Sequence, residues 1–353
     1  MLRGRGAAIL LGFAWAGAAL AQDGVIAYGV ADVFATQVRA TGLAPVFRID
    51  SSGLLASRIG VRGSEALGDG IKANFTLEIG VNANDGSAPD ANRLANRQAW
   101  LGVSGAAGEL RLGRQNTPQF TMNGRYDAFL SATQASGWNN LFGAPPRTDS
   151  ALGLFSPKWG GVRLQALLAR GATGGGAPLA QSQANQNTHL AAEYEQGDWY
   201  AGLNHQLVHV ASLPYSVQRV SAGVAWTANS RWKLYAALGR EARSDASLRT
   251  CLLSLSAART LAGGTVLAFG GAALRDQLSG TGHGGAGQLS VQLRRALSRR
   301  TTVYGAGARL LQHGLRNSFF LNGSAVVEAG AQIRSPLPGG SISGLQLGIT
   351  HSF

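Results

Sequence analysis

The residues whose types and spacing could do chemistry are arginines rather than a catalytic set. In one short segment, Arg58, Gly60 and Arg62 alternate with Ile59 and Val61. Successive side chains of a β-strand point to opposite faces, so the two arginines and the glycine would share one face. Such a face offers positive charge and open space. It suits the electrostatic attraction of an anionic solute that passes by, not the making or breaking of bonds.

A second group of charged residues surrounds a long polar stretch. Arg114 ends a strand-like segment, and about 35 residues of loop-like sequence follow it. Loops of this length are usually functional. The carboxylates between Arg114 and the next strand-like segment are Asp127 and Asp149, while Arg125 and Arg147 add positive charge. The stretch is therefore the natural candidate for a functional loop.

The search for a catalytic or metal site finds no motif. The six histidines are scattered, without metal-ligand spacing or a neighbouring nucleophile. The run GATGGG at 171–176 lacks the Lys-Ser/Thr that completes a phosphate-binding loop. His205 shares an apolar face, where a barrel enzyme could place a base, but no motif marks a partner serine. We expect no enzyme activity, no cofactor and no metal, and an inert His205 near the membrane interface.

The first 21 residues have the pattern of a secretory signal peptide. Arg3 and Arg5 precede an apolar run at 7–20, and the sequence ALA at 19–21 precedes Gln22. A basic start, a short apolar core and an A-x-A site are the features of such a signal. The run is too short and too rich in glycine and alanine for a retained membrane helix. We expect a signal peptide at 1–21 and an exported chain at 22–353.

The composition of the remaining chain suits a membrane protein that spans with strands. Arg, Asp, Ser or Gly interrupts every later apolar run, charged residues are 14% of the chain, and there are 50 glycines. The mean hydropathy is +0.03. Cys251 is the single cysteine, which excludes an intrachain disulfide and a Cys-based metal site. The net charge of +13 would suit nucleic acid, but export argues against a nucleic-acid partner.

Turns and alternating segments predict the number of strands. From residue 24 onward, segments of roughly ten residues with alternating polarity are separated by tight turns and by longer polar stretches in alternation, as in transmembrane barrels. The tight turns lie at 67–70, 105–109, 158–161, 195–198, 227–231, 259–264 and 297–300. Seven turns and eight longer loops give an all-β fold, a sixteen-stranded antiparallel transmembrane β-barrel. We interpret 313–342 as a long last loop, although its strand character leaves an extra hairpin open.

Alternation also predicts which side of each strand meets lipid. Between 71 and 79, five apolar residues alternate with Lys72, Asn74, Thr76 and Glu78. A lipid-facing Arg or Lys near the bilayer midplane costs about 2–4 kcal/mol. The charged faces must therefore look into a water-filled lumen.

Aromatic residues mark the ends of the expected strands. Trp159, Trp199, Trp226 and Trp232 lie in or within two residues of a tight turn, where the membrane–water boundary favours them; ordinary core tryptophans are the alternative. The last segment alternates apolar residues up to the terminal Phe353. The C-terminal aromatic looks like a signal for the outer-membrane assembly machinery.

Five blocks of sequence resemble those of Gram-negative general porins, most closely the β-proteobacterial type. They are SRIGVRGSEALGDGIKANFTLEIG, NRQAWLGVSG, GELRLGRQNTP, FSPKWGGVRLQALLA and LQLGITHSF. The likeness covers 24–353 and is weakest between about 175 and 300. It implies a homotrimeric outer-membrane channel whose third loop, here about 116–149, folds into the lumen and narrows it.

The resemblance also implies a set of selectivity residues. The wall arginines of the family fall on Arg58 and Arg114 by motif, and a third basic residue of the constriction is matched by Arg147. Arg62 and Lys72 are expected as nearby support. The acidic loop tip of many relatives is replaced by ASGWNN at 135–140, so the opposing negative pole is reduced to carboxylates such as Asp127.

The expected function is passive diffusion of small hydrophilic solutes and ions, with anions preferred. The expected partners are two further copies of the chain, outer-membrane lipids, the assembly machinery and the solutes themselves. Two alternatives remain open: a solute-specific channel for phosphate or organic acids, and a non-conducting adhesin or structural barrel. It also remains open whether lumen carboxylates such as Glu78 and Glu109 pair with the arginines, which would leave the arginines without effect on transport.

Overall fold

The computed structural model describes residues 24–90, 92–170, 186–209, 213–278, 284–314, 318–322 and 332–353. The expected signal peptide at 1–21 and the glycine run at 171–176 lie outside the described residues.

The described chain is built almost entirely of strands. The strands are β1 Gly24–Ala40, β2 Val46–Ser51, β3 Arg58–Gly68, β4 Ile71–Gly80, β5 Gln98–Gly105, β6 Gly108–Asn116, β7 Arg147–Phe155, β8 Val162–Arg170, β9 Gln186–Gln196, β10 Trp199–His209, β11 Ser216–Thr227, β12 Trp232–Arg243, β13 Arg249–Thr260, β14 Thr265–Asp276, β15 Ala286–Ala296, β16 Thr301–Gln312, β17 Phe320–Asn322, β18 Gln332–Arg334 and β19 Ser341–Ser352. The helices are α1 Pro118–Asn123 and α2 Gly137–Leu141, and a single 3₁₀ turn spans Ala262–Gly264.

The strands form one closed antiparallel β-barrel with sixteen wall positions, as the sequence predicts. Seventeen strands pair in one sheet, which closes where β1 runs antiparallel to β19. β2 pairs with the later part of β1 and β3 with its earlier part, so β2 and β3 together fill one position in the wall. The other fifteen positions hold one strand each.

All seven predicted tight turns join neighbouring strands, and the long loops lie at the opposite end of the barrel. In the turn between β3 and β4, Gly68, Asp69 and Gly70 all have positive φ, a conformation that glycine adopts at no steric cost. The expected last loop contains β17 and β18, which pair with each other and not with the wall. It is a loop of the barrel that carries a small hairpin of its own. In outer-membrane barrels the short turns are periplasmic and the long loops extracellular.

Burial confirms the two faces of the wall. Large apolar side chains such as Leu101 and Leu347 are exposed on the outside, at 62% and 69%, while Thr76 and Glu78 are buried toward the lumen. Trp199 and Trp226 are also on the outside and stack with ring centroids 5.5 Å apart. These tryptophans are not core residues. They lie beside the short turns, where a membrane boundary would place them.

The apolar core lies inside the barrel rather than between layers of structure. Its largest fully buried side chains include Trp138 and Tyr126 of the third loop. Among the described residues, no helix is long and apolar enough to cross a membrane. The same part of the chain contains no cluster of three or more His, Cys, Asp or Glu side chains that could hold a metal ion.

Candidate functional site: the lumen constriction

The third loop connects β6 to β7 and enters the lumen through two short helices. Thr117 caps α1 by accepting a hydrogen bond from the backbone N–H of Phe120 at 3.3 Å, and a proline occupies the first helical position. Ser136 caps α2 by accepting from the N–H of Asn139 at 3.0 Å. Such caps satisfy amide groups that a buried helix start would otherwise leave without partners. The loop therefore has defined structure inside the barrel.

An aromatic cluster anchors the loop. The fully buried Trp138 packs edge-on against Tyr126 and Phe142, with ring centroids 5.3 and 5.0 Å away. Aromatic pairs in this geometry contribute about 0.5–1.5 kcal/mol beyond the burial of their area. The cluster fixes the fold of the loop from within.

Glycines in the barrel wall make room for this cluster. A Cβ atom added at Gly223 of β11 would overlap the ring of Tyr126, and one at Gly239 of β12 would lie 2.9 Å from Phe142. Gly202 of β10 meets the loop in the same way. Three neighbouring strands therefore lack inward side chains where the loop packs. The loop is held on this side of the lumen.

Two glutamines of β15 bind the loop, one through its backbone and one through a side chain. The side-chain amide of Gln288 donates to the carbonyls of Gln134 and Ala135 at 3.0 and 3.2 Å. Further along the strand, on the same face, Gln292 donates to the hydroxyl of Thr133 at 2.8 Å. These bonds satisfy loop groups that have left water, which a buried chain requires.

Asp127 lies inside the loop and not on the water-filled path, which corrects the position expected from the sequence. It is 1% exposed and accepts hydrogen bonds from the hydroxyl of Ser136 at 2.6 Å and from the N–H groups of Phe129 and Ser131 at 3.2 and 3.1 Å. Burial raises the pKa of the Asp127 carboxyl, and these hydrogen bonds oppose the shift. The geometry makes Asp127 a residue that holds the loop folded.

The wall opposite the loop carries a first group of charges centred on Glu78. Its carboxylate accepts a hydrogen bond from Nε of Arg97 at 2.7 Å and one from the hydroxyl of Tyr28 at 3.0 Å. It also forms an ion pair with Arg58, whose Nε lies 3.1 Å away. Arg58 in turn donates to the carbonyl of Ala56 at 2.8 Å. One carboxylate thus holds two guanidinium groups in place, and Arg58 remains 23% exposed to the lumen.

A second group of charges is centred on Asp149, just inside β7. Asp149 forms an ion pair with Arg114 of β6 and another with Arg93 at 3.0 Å. Arg93 also binds Asp90 at 2.8 Å. Arg147 begins the same strand, and its guanidinium lies 5.6 Å from the centroid of the Phe120 ring.

Comparisons with known proteins identify the family of the chain. A family described as Gram-negative porin matches residues 6–314. The chain belongs to the Gram-negative porin family. Outer membrane porin protein 32 of Delftia acidovorans is 28% identical over 363 aligned residues, which cover 96% of each chain. An outer membrane porin protein of Bordetella pertussis is 36% identical over 138 residues, or 35% of each chain.

Solved structures show the same fold. The structure described as an anion-selective porin from Comamonas acidovorans has a TM-score of 0.76 and 24% identity, covering 94% of this chain and all of the other. The chain described here is therefore an outer-membrane porin, and its barrel forms the channel.

Two residues expected to support the constriction, Arg62 and Lys72, lie nearer the periplasmic end of the barrel than Arg58 does. Arg62 lies on the lumen side of β3, with its guanidinium 5.4 Å from the centroid of the Tyr28 ring. Lys72 lies at the start of β4, eight residues from Gly80, which is opposite Arg58. At about 3.3 Å per residue, Lys72 is roughly 26 Å along the strand from that level. Lys72 is thus at the periplasmic mouth, away from the Arg58 group.

One of the two lumen carboxylates considered in the sequence does pair with a predicted arginine. Glu78 binds Arg58, but Glu109 binds Arg111 at 2.7 Å. Arg111 lies between Trp100 and Phe155, 4.2 and 4.4 Å from their ring centroids. Glu109 therefore neutralises neither Arg58 nor Arg114.

Sequence reasoning missed Arg93 and Arg97, which bind the two central carboxylates. Both lie in the loop between β4 and β5, just before β5 begins. No alternating pattern marks them, because they precede the strand. A sequence analysis could have found them only from the turn pattern, which places this loop and the loop after Arg114 at the same end of the barrel.

Proposed function

We propose that this porin is a homotrimeric channel for passive diffusion of small hydrophilic solutes, with a preference for anions. The observation that carries the proposal is the charge balance at the constriction. Its basic residues are Arg58, Arg93, Arg97, Arg114 and Arg147, and its acidic residues are Glu78, Asp90 and Asp149. Among the described residues of the constriction, five arginines against three carboxylates leave a net charge of +2.

The geometry explains why the carboxylates do not cancel this charge. Glu78 is shared by Arg58 and Arg97, so this group keeps one positive charge, and the side chain of Arg58 is 23% exposed. A unit charge about 5 Å from an ion in water contributes about 0.8 kcal/mol, and more beside low-dielectric walls. An anion in the lumen is therefore attracted. The depleted acidic side of the loop supports the same conclusion, because Asp127 is buried.

The relatives support the proposal at the level of the family. The porin from Comamonas acidovorans, which shares the fold, is described as anion-selective. A structure of OmpT from Vibrio cholerae, with a TM-score of 0.67 and 13% identity, is described as a trimer form. We propose the same two properties for this porin.

The terminal phenylalanine fits the proposed assembly signal. Phe353 exchanges backbone hydrogen bonds with Gly29 of β1 at 3.0 and 3.1 Å, and its ring covers that glycine. The last residue therefore lies at the seam where the barrel closes. We also propose that the chain is exported as a precursor with a signal peptide at residues 1–21.

Planar bilayer recordings test the proposed function. Reversal potentials across a KCl gradient are expected to have the sign of an anion-preferring pore, and a cation-preferring sign would contradict the charge argument. Conductance that rises linearly with salt supports a general channel, whereas saturation by phosphate or an organic acid supports a solute-specific one. Absence of conductance from correctly folded protein would favour the adhesin alternative.

A further inference from the structure

A cavity of about 470 Å³ lies on the lumen wall, on the periplasmic side of the constriction. Arg62 of β3 lines it and is directly opposite Ile26 of β1 and Thr76 of β4, so these three side chains share the inward face. Trp100 of β5 is opposite Thr76 and completes the row. Arg62 lies four residues beyond Arg58, which is about 13 Å along the strand. In the proposed channel, an anion that has passed Arg58 meets this cavity next.

Arg62 is held by an aromatic ring and not by a carboxylate. Its guanidinium lies 5.4 Å from the centroid of the Tyr28 ring, and the hydroxyl of Tyr28 donates to Glu78 at 3.0 Å. Within the described part of the chain, the side chain of Arg62 forms no ion pair and no hydrogen bond, and it is exposed to the lumen. A ring contact stabilises a cation without occupying its N–H groups. Arg62 can therefore bind the carboxylate of a solute with two parallel hydrogen bonds.

The other side of the cavity is aromatic. The ring of Trp100 lines it, and the indole N–H donates to the side chain of Gln98 at 3.2 Å, which orients the ring. The guanidinium of Arg111 lies 4.2 Å from the Trp100 ring centroid, but Arg111 is already paired with Glu109 at 2.7 Å. The cavity thus combines an unpaired cation on β3 with an apolar ring on β5.

Hydroxyl and amide groups line the periplasmic side of the cavity. The side-chain amide of Asn74 donates to the hydroxyl of Ser104 at 2.8 Å, and Ser64 is directly opposite Asn74. Gly24 adds open space beside them, because a Cβ atom there would have no atom within 4 Å. These uncharged groups can form hydrogen bonds with a hydroxyl group of a solute.

We propose that this cavity binds an aromatic carboxylate, with the carboxylate on Arg62 and the ring against Trp100; the inference rests on the channel function proposed above. Arg62 and Trp100 are two strands apart, and neighbouring strands are about 4.8 Å apart, so their Cα atoms are separated by roughly 10 Å. A single ring that carries its carboxylate directly, as in 4-hydroxybenzoate, is short enough to lie between these two side chains. Its flat face suits contact with an indole ring.

Charge and apolar surface together select this class of solute. Inorganic phosphate would bind Arg62 but would leave the rings and Ile26 without an apolar partner. A neutral aromatic solute would leave the guanidinium without a counter-charge. An aromatic monoanion satisfies both, in keeping with ligand sites that combine apolar walls with a few polar groups that fix orientation.

Isothermal titration of the folded protein in detergent tests the proposal, with 4-hydroxybenzoate as the probe. The wild type should bind it at least tenfold more tightly than acetate, which carries the same charge without a ring. Arg62→Gln should weaken binding of 4-hydroxybenzoate at least tenfold. Trp100→Leu should reduce the preference for 4-hydroxybenzoate over acetate at least fivefold.

Lys233→Gln is the matched control for the loss of charge. Lys233 also faces the lumen and lies 5.6 Å from the centroid of a tyrosine ring, that of Tyr235, but it belongs to β12 on the far side of the barrel. Its replacement should change binding less than twofold. Equal losses in Arg62→Gln and Lys233→Gln would show unspecific attraction by the lumen and would overturn the proposal.

Two further arms do not depend on removing a charge. Gly24→Leu fills open space in the cavity and should weaken binding of 4-hydroxybenzoate at least fivefold at unchanged charge. Phosphate should compete with 4-hydroxybenzoate at least tenfold less well than unlabelled benzoate does. Unchanged binding by both Arg62→Gln and Gly24→Leu, or equal competition by phosphate and benzoate, would overturn the proposal.

Bilayer recordings separate this inference from the proposed channel function. In KCl, 4-hydroxybenzoate should reduce the conductance of the wild-type pore and affect the Arg62→Gln pore at least tenfold less. Titration in detergent does not require conduction, so a cation-preferring or closed pore that still binds 4-hydroxybenzoate would contradict the channel proposal and support the site. An anion-preferring pore that does not bind it would overturn the site alone.

Discussion

Arg58→Gln removes one lumen charge with little disturbance of its surroundings. Glu78 keeps the 2.7 Å bond from Arg97 and the hydroxyl of Tyr28, so the carboxylate retains partners. Arg58 itself is 23% exposed and faces the water-filled path. The substitution therefore changes the field in the lumen more than it changes the wall.

The expected size of the effect follows from Coulomb's law and screening. At about 5 Å in water the charge contributes about 0.8 kcal/mol, and a screening length of about 8 Å in 0.15 M salt reduces this to about 0.4 kcal/mol. The anion loses this attraction and the cation loses an equal repulsion, so their difference changes by about 0.9 kcal/mol. At about 1.4 kcal/mol per factor of ten, the anion-to-cation permeability ratio should fall about fourfold.

Reversal potentials at two salt levels provide the assay. In 1 M salt the screening length is about 3 Å, and the same calculation gives a change of less than twofold. Arg58→Glu changes the charge by two and should lower the ratio by roughly the square of the Gln effect. Arg295→Gln is the control, since Arg295 faces outward. An Arg58→Gln pore with the wild-type ratio in 0.15 M salt would refute the argument that this charge sets selectivity.

Three other substitutions test how the loop is held. Gly223→Ala places a Cβ against the Tyr126 ring and should destabilise the folded barrel by about 1–3 kcal/mol and shift the single-channel conductance. Gly287→Ala, the control, should change neither stability nor conductance. Equal behaviour of the two variants would contradict the conclusion that wall glycines make room for the loop. Trp138→Ala should cost about 3–5 kcal/mol in urea unfolding of detergent-folded protein, and a loss below about 1 kcal/mol would show that the cluster does not anchor the loop. For Asp127, the raised pKa means that its stabilising contribution is fully present below the ordinary aspartate pKa of 3.8 and is lost as the pH rises through the folded value. The stability advantage of the wild type over Asp127→Asn should therefore shrink from acid to neutral pH. An advantage that grows with pH would show that the pKa of Asp127 is lowered, not raised, in the folded protein.

The strand count could be predicted because it depends on local signals. Alternation and tight turns are properties of ten-residue windows, and the barrel wall confirms both. The interruption between β2 and β3 could not be predicted in that way. There the chain bends inward at Gly53 and Leu54, whose N–H groups donate to the carboxylate of Asp32 at 2.8 and 3.1 Å. The hydroxyl of Tyr304, distant in sequence, completes this site at 2.7 Å.

The constriction was predictable only for residues that belong to strands. Arg58 and Arg114 stand in strand motifs, so their inward direction follows from alternation. Asp127 belongs to a loop, where no period tells whether a carboxylate faces water or turns back on its own chain. Its hydroxyl partner, Ser136, is nine residues away across a turn of irregular backbone. For such residues the fold of the loop decides the role.

The sharing of carboxylates explains how a positive constriction can be stable. Arg58 and Arg97 would repel each other without Glu78, and each would lose the ion pair that orients it. A second carboxylate at the same place would remove the repulsion but also the net charge. One acid between two arginines fixes both guanidinium groups and leaves one positive charge in excess. Asp149 likewise orients Arg114 and Arg93, but Asp90 also binds Arg93, so the charges of that group balance. We therefore propose that the same ion pairs give both order and selectivity, because the excess positive charge beside Glu78 attracts an anion in the lumen.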